Sequence, residues 1–459
     1  MAHASTVTST CISLDDLSPL LLSKEIPSTT ISSACLQDDT LNTTLIGPVK
    51  VLMSGLHGRG LFATRNIEAG ECLFCTPPTV SAPMTNVLRT YQSNPQLGLQ
   101  HIAETILIKH MKRALKKNTI VAASIMALTA NETTIPDIDN DVILQMLIAK
   151  ASPLTTATAT ATVKDDDLLQ IIRRNAFGPD FYSYNKMQDT ISHITFHRIL
   201  GLYPLAAMLN HSCTPNAVRV FCGEHMLVHA THNVKEGEEL LWSYIPPTSG
   251  YQDRQHSIHK FGFTCTCTRC TIEKSIPWLA TLDTTTFQSL YNQSNQQFIS
   301  ATILEPIIQQ LERLLTTLTN EEQRRYVRVG FMNLYLNYYN ASLLHSNSSI
   351  DDESIQKIRV LNVLKSATQL HFACCVCCHA STEHLSILHL CYDLVVGWSN
   401  TNDNNQKQIK FWTDQLKRAH MVRYGKLGNN LEALRSCMVH TKLVLRNLNG
   451  LEKSEHAFL

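Results

Sequence analysis

Cys265, Cys267 and Cys270 stand in the spacing C-x-C-x-x-C. Three thiolates on so short a loop can surround one zinc ion, and a closed structural zinc takes four ligands arranged as a tetrahedron. The fourth must come from elsewhere, and Cys213 is the best candidate. The competing reading is three reduced thiols on a surface turn. It is weak, because clustered exposed thiols oxidise readily. Cys213 belongs to a second unusual segment, Asn210-His-Ser-Cys-Thr-Pro-Asn216. Taken singly, its residues have ordinary explanations: a helix cap, a core histidine, a proline turn. In company with Gly58-Arg-Gly-Leu-Phe-Ala63 upstream and Glu239-Leu-Leu-Trp-Ser-Tyr244 downstream, those explanations lose their force.

The chain around these segments has 459 residues, enough for about three domains. With 39 Lys+Arg against 38 Asp+Glu the net charge is +1, which argues against binding nucleic acid by bulk electrostatics. Apolar residues at 44 % argue against global disorder. The 15 cysteines fall well below the roughly 8–10 % of a disulfide scaffold. The N-terminus has no basic n-region and carries Asp15 and Asp16 early, so neither a secretory signal nor a transit peptide is expected. Reduced thiols in the cytoplasm or nucleus follow from that. No run of about 18 apolar residues is present, and no membrane span is expected.

The elements that must position the motifs can be read along the chain. Residues 1–46 read as a flexible leader with one short helix at Leu17–Lys24. Residues 47–83 read as short strands separated by glycine turns, and 84–174 as helices. Within the latter, Thr155–Thr162 is a loose Thr/Ala linker, and Asp165-Asp-Asp167 opens a helix. Strands and turns return over 175–250, the cysteine loop occupies 251–275, and 276–459 is helical. Leu304, Ile307, Ile308, Leu311, Leu314, Leu315 and Leu318 form one apolar stripe there. Further helices are expected near 322–346, 353–375, 383–398, 406–424 and 430–447, stacked as hairpins, with Trp398 and Trp412 in the core.

The GRGLFA, NHSCTPN, EEL-x-x-SY and CTCTRC segments, in that order, resemble the SET domain of protein lysine methyltransferases. The arrangement is most similar to the SET-and-MYND family, in which a helical region splits the SET domain and a Cys-rich post-SET motif and a helical domain follow. The resemblance implies an α+β fold: small sheets split by a helical insert, a zinc-binding post-SET loop and an all-helical, helical-repeat-like C-terminal domain. It also implies an S-adenosylmethionine pocket built from His57, Gly58, Arg59 and Gly60, from Asn210 and His211, from Asn175, and from Phe263 stacking on adenine. Phe177, Tyr203 and Tyr244 match the walls of the family's lysine channel, and Tyr244 matches its catalytic hydroxyl. Cys213, Cys265, Cys267 and Cys270 would then hold a structural zinc. The implied partner is a protein substrate bearing a target lysine, met in the groove between the SET and helical parts. Neither direct nucleic-acid binding nor a membrane is expected, and a monomer is the family-like state.

The chain departs from the family pattern in three places. No Cys lies between Cys75 and Cys213, so the MYND finger is absent from that interval. His57 stands where an arginine is common, and Arg59 where a small polar residue is common. The stretch from Asn175 to Gly201 is longer than usual. Two rival readings remain: an inactive SET shell used as a scaffold, and the other helical-tailed SET branch, which acts on ribosomal or photosynthetic proteins and usually lacks the C-x-C-x-x-C loop. The basic run Lys109–Lys117 reads as a solvated helix face. Cys374-Cys-Val-Cys-Cys-His379, near His384, His389 and Cys391, reads as buried small hydrophobes ahead of a second metal site, since consecutive cysteines on a helix point in different directions.

Overall fold

Alternation of apolar residues builds the first strands. The structure, a computed structural model, describes residues 45–55, 58–117, 119–128, 163–178, 199–222, 224–280, 300–344, 353–397 and 403–425, with Leu144 and Leu147. The helix expected at Leu17–Lys24, the Thr/Ala linker, the 430–447 helix, Trp398 and His57 lie outside the described residues. In β2 (Val49–Met53) and β3 (Arg59–Ala63), Val49, Val51, Leu61 and Ala63 all enter one core, with Val51 opposite Leu61. The turn between them uses Gly58 at φ 63°. Strand β3 pairs with β11 (Glu239–Trp242), and β11 pairs in parallel with β8 (Asn210–His211), setting Leu241 beside Asn210 and Trp242 beside His211.

A second sheet runs β1 (Leu45–Ile46), β4 (Cys72–Thr76), β10 (His225–Ala230) and β9 (Ala217–Cys222), all antiparallel. The last two residues expected in the leader, Leu45 and Ile46, instead form a strand and pair with Cys75 and Phe74. A third sheet joins β5 (Val80–Pro83), β7 (Ile199–Leu202) and β6 (Ala176–Phe177).

Between these sheet pieces lies the helical insert: α1 (Met84–Ser93), α2 (Leu99–Lys117), α3 (Thr119–Ala127) and α4 (Asp165–Asn175). Helix α4 carries Asp165, Asp166 and Asp167 in its first turn and Arg173 and Arg174 in its last, matching the helix dipole at both ends. Its buried Leu168, Ile171 and Ile172 join Leu107 and Met111 of α2 in a core that also takes in Leu200 and Leu202 of β7. The basic run lies on α2, with Met111 buried and Lys109, Lys112, Arg113, Lys116 and Lys117 exposed.

After a short helix α5 (Pro204–Ala207), the cysteine loop is framed by α6 (Tyr251–His259) and α7 (Thr268–Lys274). The C-terminal helices are α8 (Ala301–Thr316), α9 (Glu321–Gly330), α10 (Met332–Leu344), α11 (Glu353–Cys377), α12 (Thr382–Gly397) and α13 (Asp403–Tyr424). Leu304, Ile308, Leu311, Leu315 and Leu318 of the apolar stripe are buried, as is Trp412. The helix expected over 322–346 is broken at Phe331 (φ −108°, ψ 18°). Gly330, a poor helix residue, ends α9 where a Cβ would stand 3.5 Å from the Gly250 Cα. The Lys357–Cys377 segment is long and apolar enough, by length and composition, to cross a membrane. In the fold, its Val363, Ala367, Leu370, Ala373 and Cys374 sit in the helical core.

That helical core does not stop at the helices. It takes in Cys75 of β4, Val220 of β9 and Leu227 of β10. The helical domain is therefore fused to the second sheet by apolar burial. Leu227→Ala should cost about 2–5 kcal/mol. A fall in the urea midpoint with an unchanged m value would show it; an unmoved midpoint would show that the two parts do not share a core.

Candidate active site and cysteine cluster

The chain brings Cys213, at the end of the Asn210-His-Ser-Cys turn, against the loop Cys265–Cys270. All four sulfurs lie within 4.8 Å of one another. Cys213 Sγ is 3.5 Å from Cys270 Sγ and 3.9 Å from Cys265 Sγ, and Cys213, Cys265 and Cys270 are buried. Hydrogen bonds from the other three thiols pull Cys213 well below the usual thiol range.

The charges around the cluster fit a metal-bound thiolate set. The side chains of Arg254, Arg269 and Glu273 are at most 1 % exposed. Glu273 pairs with Arg254 and lies 3.1 Å from Arg269 Nε. One buried carboxylate for two buried guanidiniums leaves an uncompensated cation, which is costly in a low dielectric. A zinc ion with four thiolates carries net charge −2 and supplies the missing negative charge. Arg254 Nη2 lies 3.9 Å from Cys270 Sγ. Arg269 donates to the carbonyls of Pro247 and, across the domain boundary, Tyr326 of α9 at 3.1 Å.

A second donor group, His371, Cys375 and His384, also comes within 4.8 Å. His371 precedes Cys375 by one helical turn on α11, which places both on one face. The Ala380 N–H donates to His384 Nδ1 at 3.1 Å, and His384 Nε2 meets His371 Nδ1 at 2.9 Å. The backbone bond fixes neutral His384 with its proton on Nε2, donated to His371. Burial holds both rings below the usual histidine pKa, His371 at about 3. The pair is thus satisfied internally, and ligation through His384 Nε2 would cost the Ala380 bond. Cys374, Cys377 and Cys378 are buried in the helical core.

On the other side of Cys213, the turn clasps the glycine strand. Asn210 Nδ2 donates to the Arg59 carbonyl at 3.1 Å and to Glu239 Oε1 at 2.7 Å, and Ser54 Oγ donates to Glu239 Oε2 at 2.9 Å. A Cβ at Gly60 would collide with the Glu239 carboxylate and stand 2.9 Å from Asn210 Nδ2, so the close approach requires glycine. Asn216 locks the same turn to β11, donating to the Glu239 carbonyl at 2.9 Å and accepting from the Leu241 N–H at 2.7 Å.

His211 joins the two halves of the site. Its Nε2 is 3.3 Å from Cys213 Sγ, and its Nδ1 accepts the Tyr244 N–H at 3.0 Å. Its ring lies 5.3 Å from that of Tyr244 and 6.1 Å from that of Phe263. The Tyr244 hydroxyl donates to the Leu209 carbonyl at 2.9 Å. Burial first, then the charge of Glu239, raise the Tyr244 pKa, so the phenol stays protonated.

Tyr244 and Phe177 line a cleft of about 300 Å³, with Trp242, Phe261, Leu209 and Arg219 among its other walls. Tyr203, placed in the channel by resemblance, is fully buried behind Phe177 at a centroid distance of 6.2 Å, and its hydroxyl donates to the Glu224 carbonyl at 2.6 Å. Asn175 ends α4, donating to the Ile171 carbonyl at 3.0 Å. Glu239, Trp242, Phe261 and Arg219 were not assigned roles from the sequence. Their signals were present: Glu239 and Trp242 sit in the EEL-x-x-SY segment, and Phe261 shares the Phe-Gly-Phe step with Phe263.

A clasped glycine turn, an aromatic cleft floored by a tyrosine, and a cysteine cluster tied to both define a SET-type site. The family model for the SET domain matches residues 58–245, and the chain contains that domain. Human histone-lysine N-methyltransferase SMYD3 is 39 % identical over 72 residues, covering 16 % of this chain and 17 % of its own. Histone-lysine N-methyltransferase ATXR4 of Arabidopsis thaliana is 24 % identical over 290 residues, covering 49 % of this chain and 86 % of its own. The chain spans about a third or less of the length of the first curated relatives it matches. A crystal structure of the SET domain of LSMT bound to lysine and AdoHcy covers 90 % of this chain and 94 % of its own at 13 % identity, with a TM-score of 0.27.

If the cysteine cluster holds zinc, the purified protein should carry about one zinc per chain, and Cys267→Ser should carry none and melt at a lower temperature. Elemental analysis with a thermal melt checks this. A Cys267→Ser protein with full zinc and an unchanged melt would exclude the cluster as a metal site.

Proposed function

We propose that the protein transfers methyl groups from S-adenosylmethionine to the side-chain amine of lysine in a protein substrate. The observation that carries this reading is the position of Tyr244: a protonated phenol on the wall of an aromatic cleft, linked through His211 to the turn that clasps the glycine strand. The names of the curated relatives support the same reaction. Gly58, Arg59, Gly60, Asn175, Asn210, His211 and Phe263 would hold the cofactor, with Glu239 as their shared acceptor. The polar clasp of Asn210, Glu239 and Ser54 fits a ligand rich in hydrogen-bonding groups and bearing an ammonium. S-adenosylmethionine, when bound, supplies an electrophilic methyl on a sulfonium.

The chain's own contribution is alignment and desolvation. In-line methyl transfer needs the amine held in one direction, and orientation can supply much of the acceleration. The rings of Phe177, Trp242 and Tyr244 line one side of the cleft, and their faces favour a methylated ammonium through cation–π attraction. The lysine must be neutral to attack. From a reference pKa near 10.4, deprotonation at pH 7.4 costs about 4 kcal/mol. Withdrawal of the amine from water beside these rings lowers that pKa by disfavouring the charged form. Tyr244 is a poor base: its buried phenol is neutral, and its O–H is committed to the Leu209 carbonyl. Its role is to hold the geometry beside the transferred group.

Tyr244→Phe should lower kcat by about 100-fold or more while S-adenosylmethionine binding is retained. Methylation of a lysine-containing protein mixture, read by mass spectrometry beside calorimetric cofactor binding, checks this; undiminished turnover would remove Tyr244 from the mechanism. The rate should also rise about tenfold per pH unit from 7 towards 9 as the lysine is deprotonated. No falling limb from Tyr244 is expected in that window, because its pKa is raised rather than lowered. A bell with its maximum near pH 7 would contradict a neutral tyrosine.

A further inference from the structure

Arg219 on β9 stands where two clefts meet. It lines the aromatic cleft that holds Tyr244, and it lines a larger cleft of about 480 Å³ between β9 and the ends of α12 and α13. Its guanidinium carbon lies 5.2 Å from the Phe177 ring centroid and 5.0 Å from that of Trp242, on the two rings that wall the path to Tyr244. No carboxylate pairs with Arg219 among the described residues.

The same larger cleft is lined by two residues with a buried donor that has no acceptor among the described residues. Trp242, 4 % exposed, has a buried indole N–H with no hydrogen-bond partner among the described residues. Arg423 on α13 donates to the Ala380 carbonyl through Nη1 at 2.9 Å, but its buried Nε has no such partner. The acidic side chain lining this cleft is Glu383, within 3.2 Å of the Thr382 hydroxyl. His379 on the same wall stays neutral, at a pKa of about 4, because it is buried. Arg219 itself is exposed at the junction, with the like charge of Arg423 on the facing wall. Buried donors without acceptors cost free energy that an acceptor-bearing ligand recovers. A planar guanidinium matches a carboxylate with two parallel hydrogen bonds.

We propose that Arg219, with Arg423 and the Trp242 indole N–H, forms a subsite for an acidic side chain of the substrate next to the target lysine. Arg219 is a specificity-determining residue: it holds the neighbouring carboxylate at the junction while the lysine passes between the rings towards Tyr244. The inference rests on the proposed lysine methyltransferase activity for its meaning, but it concerns binding and is tested without turnover.

The test uses the full chain and two pools of fluorescent peptides with a central lysine and randomised ends, one with glutamate and one with glutamine on both sides of that lysine. Fluorescence anisotropy should give the glutamate pool a Kd about tenfold lower, equivalent to about 1.4 kcal/mol. Arg219→Gln should bring the two pools together, and Arg219→Glu should reverse the order against a lysine-flanked pool. Arg423→Gln, on the opposite wall, should narrow the ratio independently, should the β9 variants fold poorly. Equal affinities for the wild-type chain, or a glutamate preference unchanged in both Arg219→Gln and Arg423→Gln, would overturn the subsite. Failure of the tighter-bound pool to be methylated would count against the proposed activity, while the affinity ratio would still decide the subsite.

Discussion

The turn Asn210–Asn216 makes three sets of contacts at once, and the site depends on their being simultaneous. Asn210 reaches back to the glycine strand and Glu239, His211 holds the Tyr244 backbone, and Cys213 closes the cysteine cluster. Asn216 fastens the end of the turn to β11 through both atoms of its amide. These segments are far apart in the chain, so no local propensity aligns them. A short run of residues does so through four side chains, within a parallel strand pairing that leaves little slack.

The cysteine cluster extends that constraint to the helical domain. Arg269 is buried, bonded to Glu273 beside the cysteines, and donates to the Tyr326 carbonyl of α9. Gly330, at the end of α9, lets the chain approach the Gly250 region at van der Waals distance. The helical domain is therefore held to the SET core by apolar burial at Leu227 and Val220 on one face, and by a buried charge network beside the cysteines on another. The network costs desolvation energy and gives a fixed geometry in return.

Much of this was legible because the informative residues come in tight local patterns. The C-x-C-x-x-C spacing and the Asn-His-Ser-Cys turn point to their partners through ligand chemistry, and the acidic and basic ends of α4 mark that helix through its dipole. What could not be read depends on register and on neighbours distant in sequence. Arg219 faces the clefts only because β9 pairs with β10 so that Arg219 stands opposite Val228. A one-residue slip would turn it to the other face. Tyr203 looked like a channel wall by position, yet the packing of β7 and β9 puts it behind Phe177, where its hydroxyl finds the Glu224 carbonyl. The break at Phe331 and the pairing of His371 with His384 likewise follow from tertiary contacts.

The proposed cofactor pocket and the cysteine cluster share one structural element, the turn Asn210–Asn216. The decisive measurement is calorimetric titration with S-adenosylmethionine of the zinc-loaded chain, the chelator-stripped chain and Asn210→Ala. Binding by the zinc-loaded chain and loss of binding in both of the others are expected. Undiminished affinity in a folded, zinc-free chain, or in Asn210→Ala, would contradict a shared element.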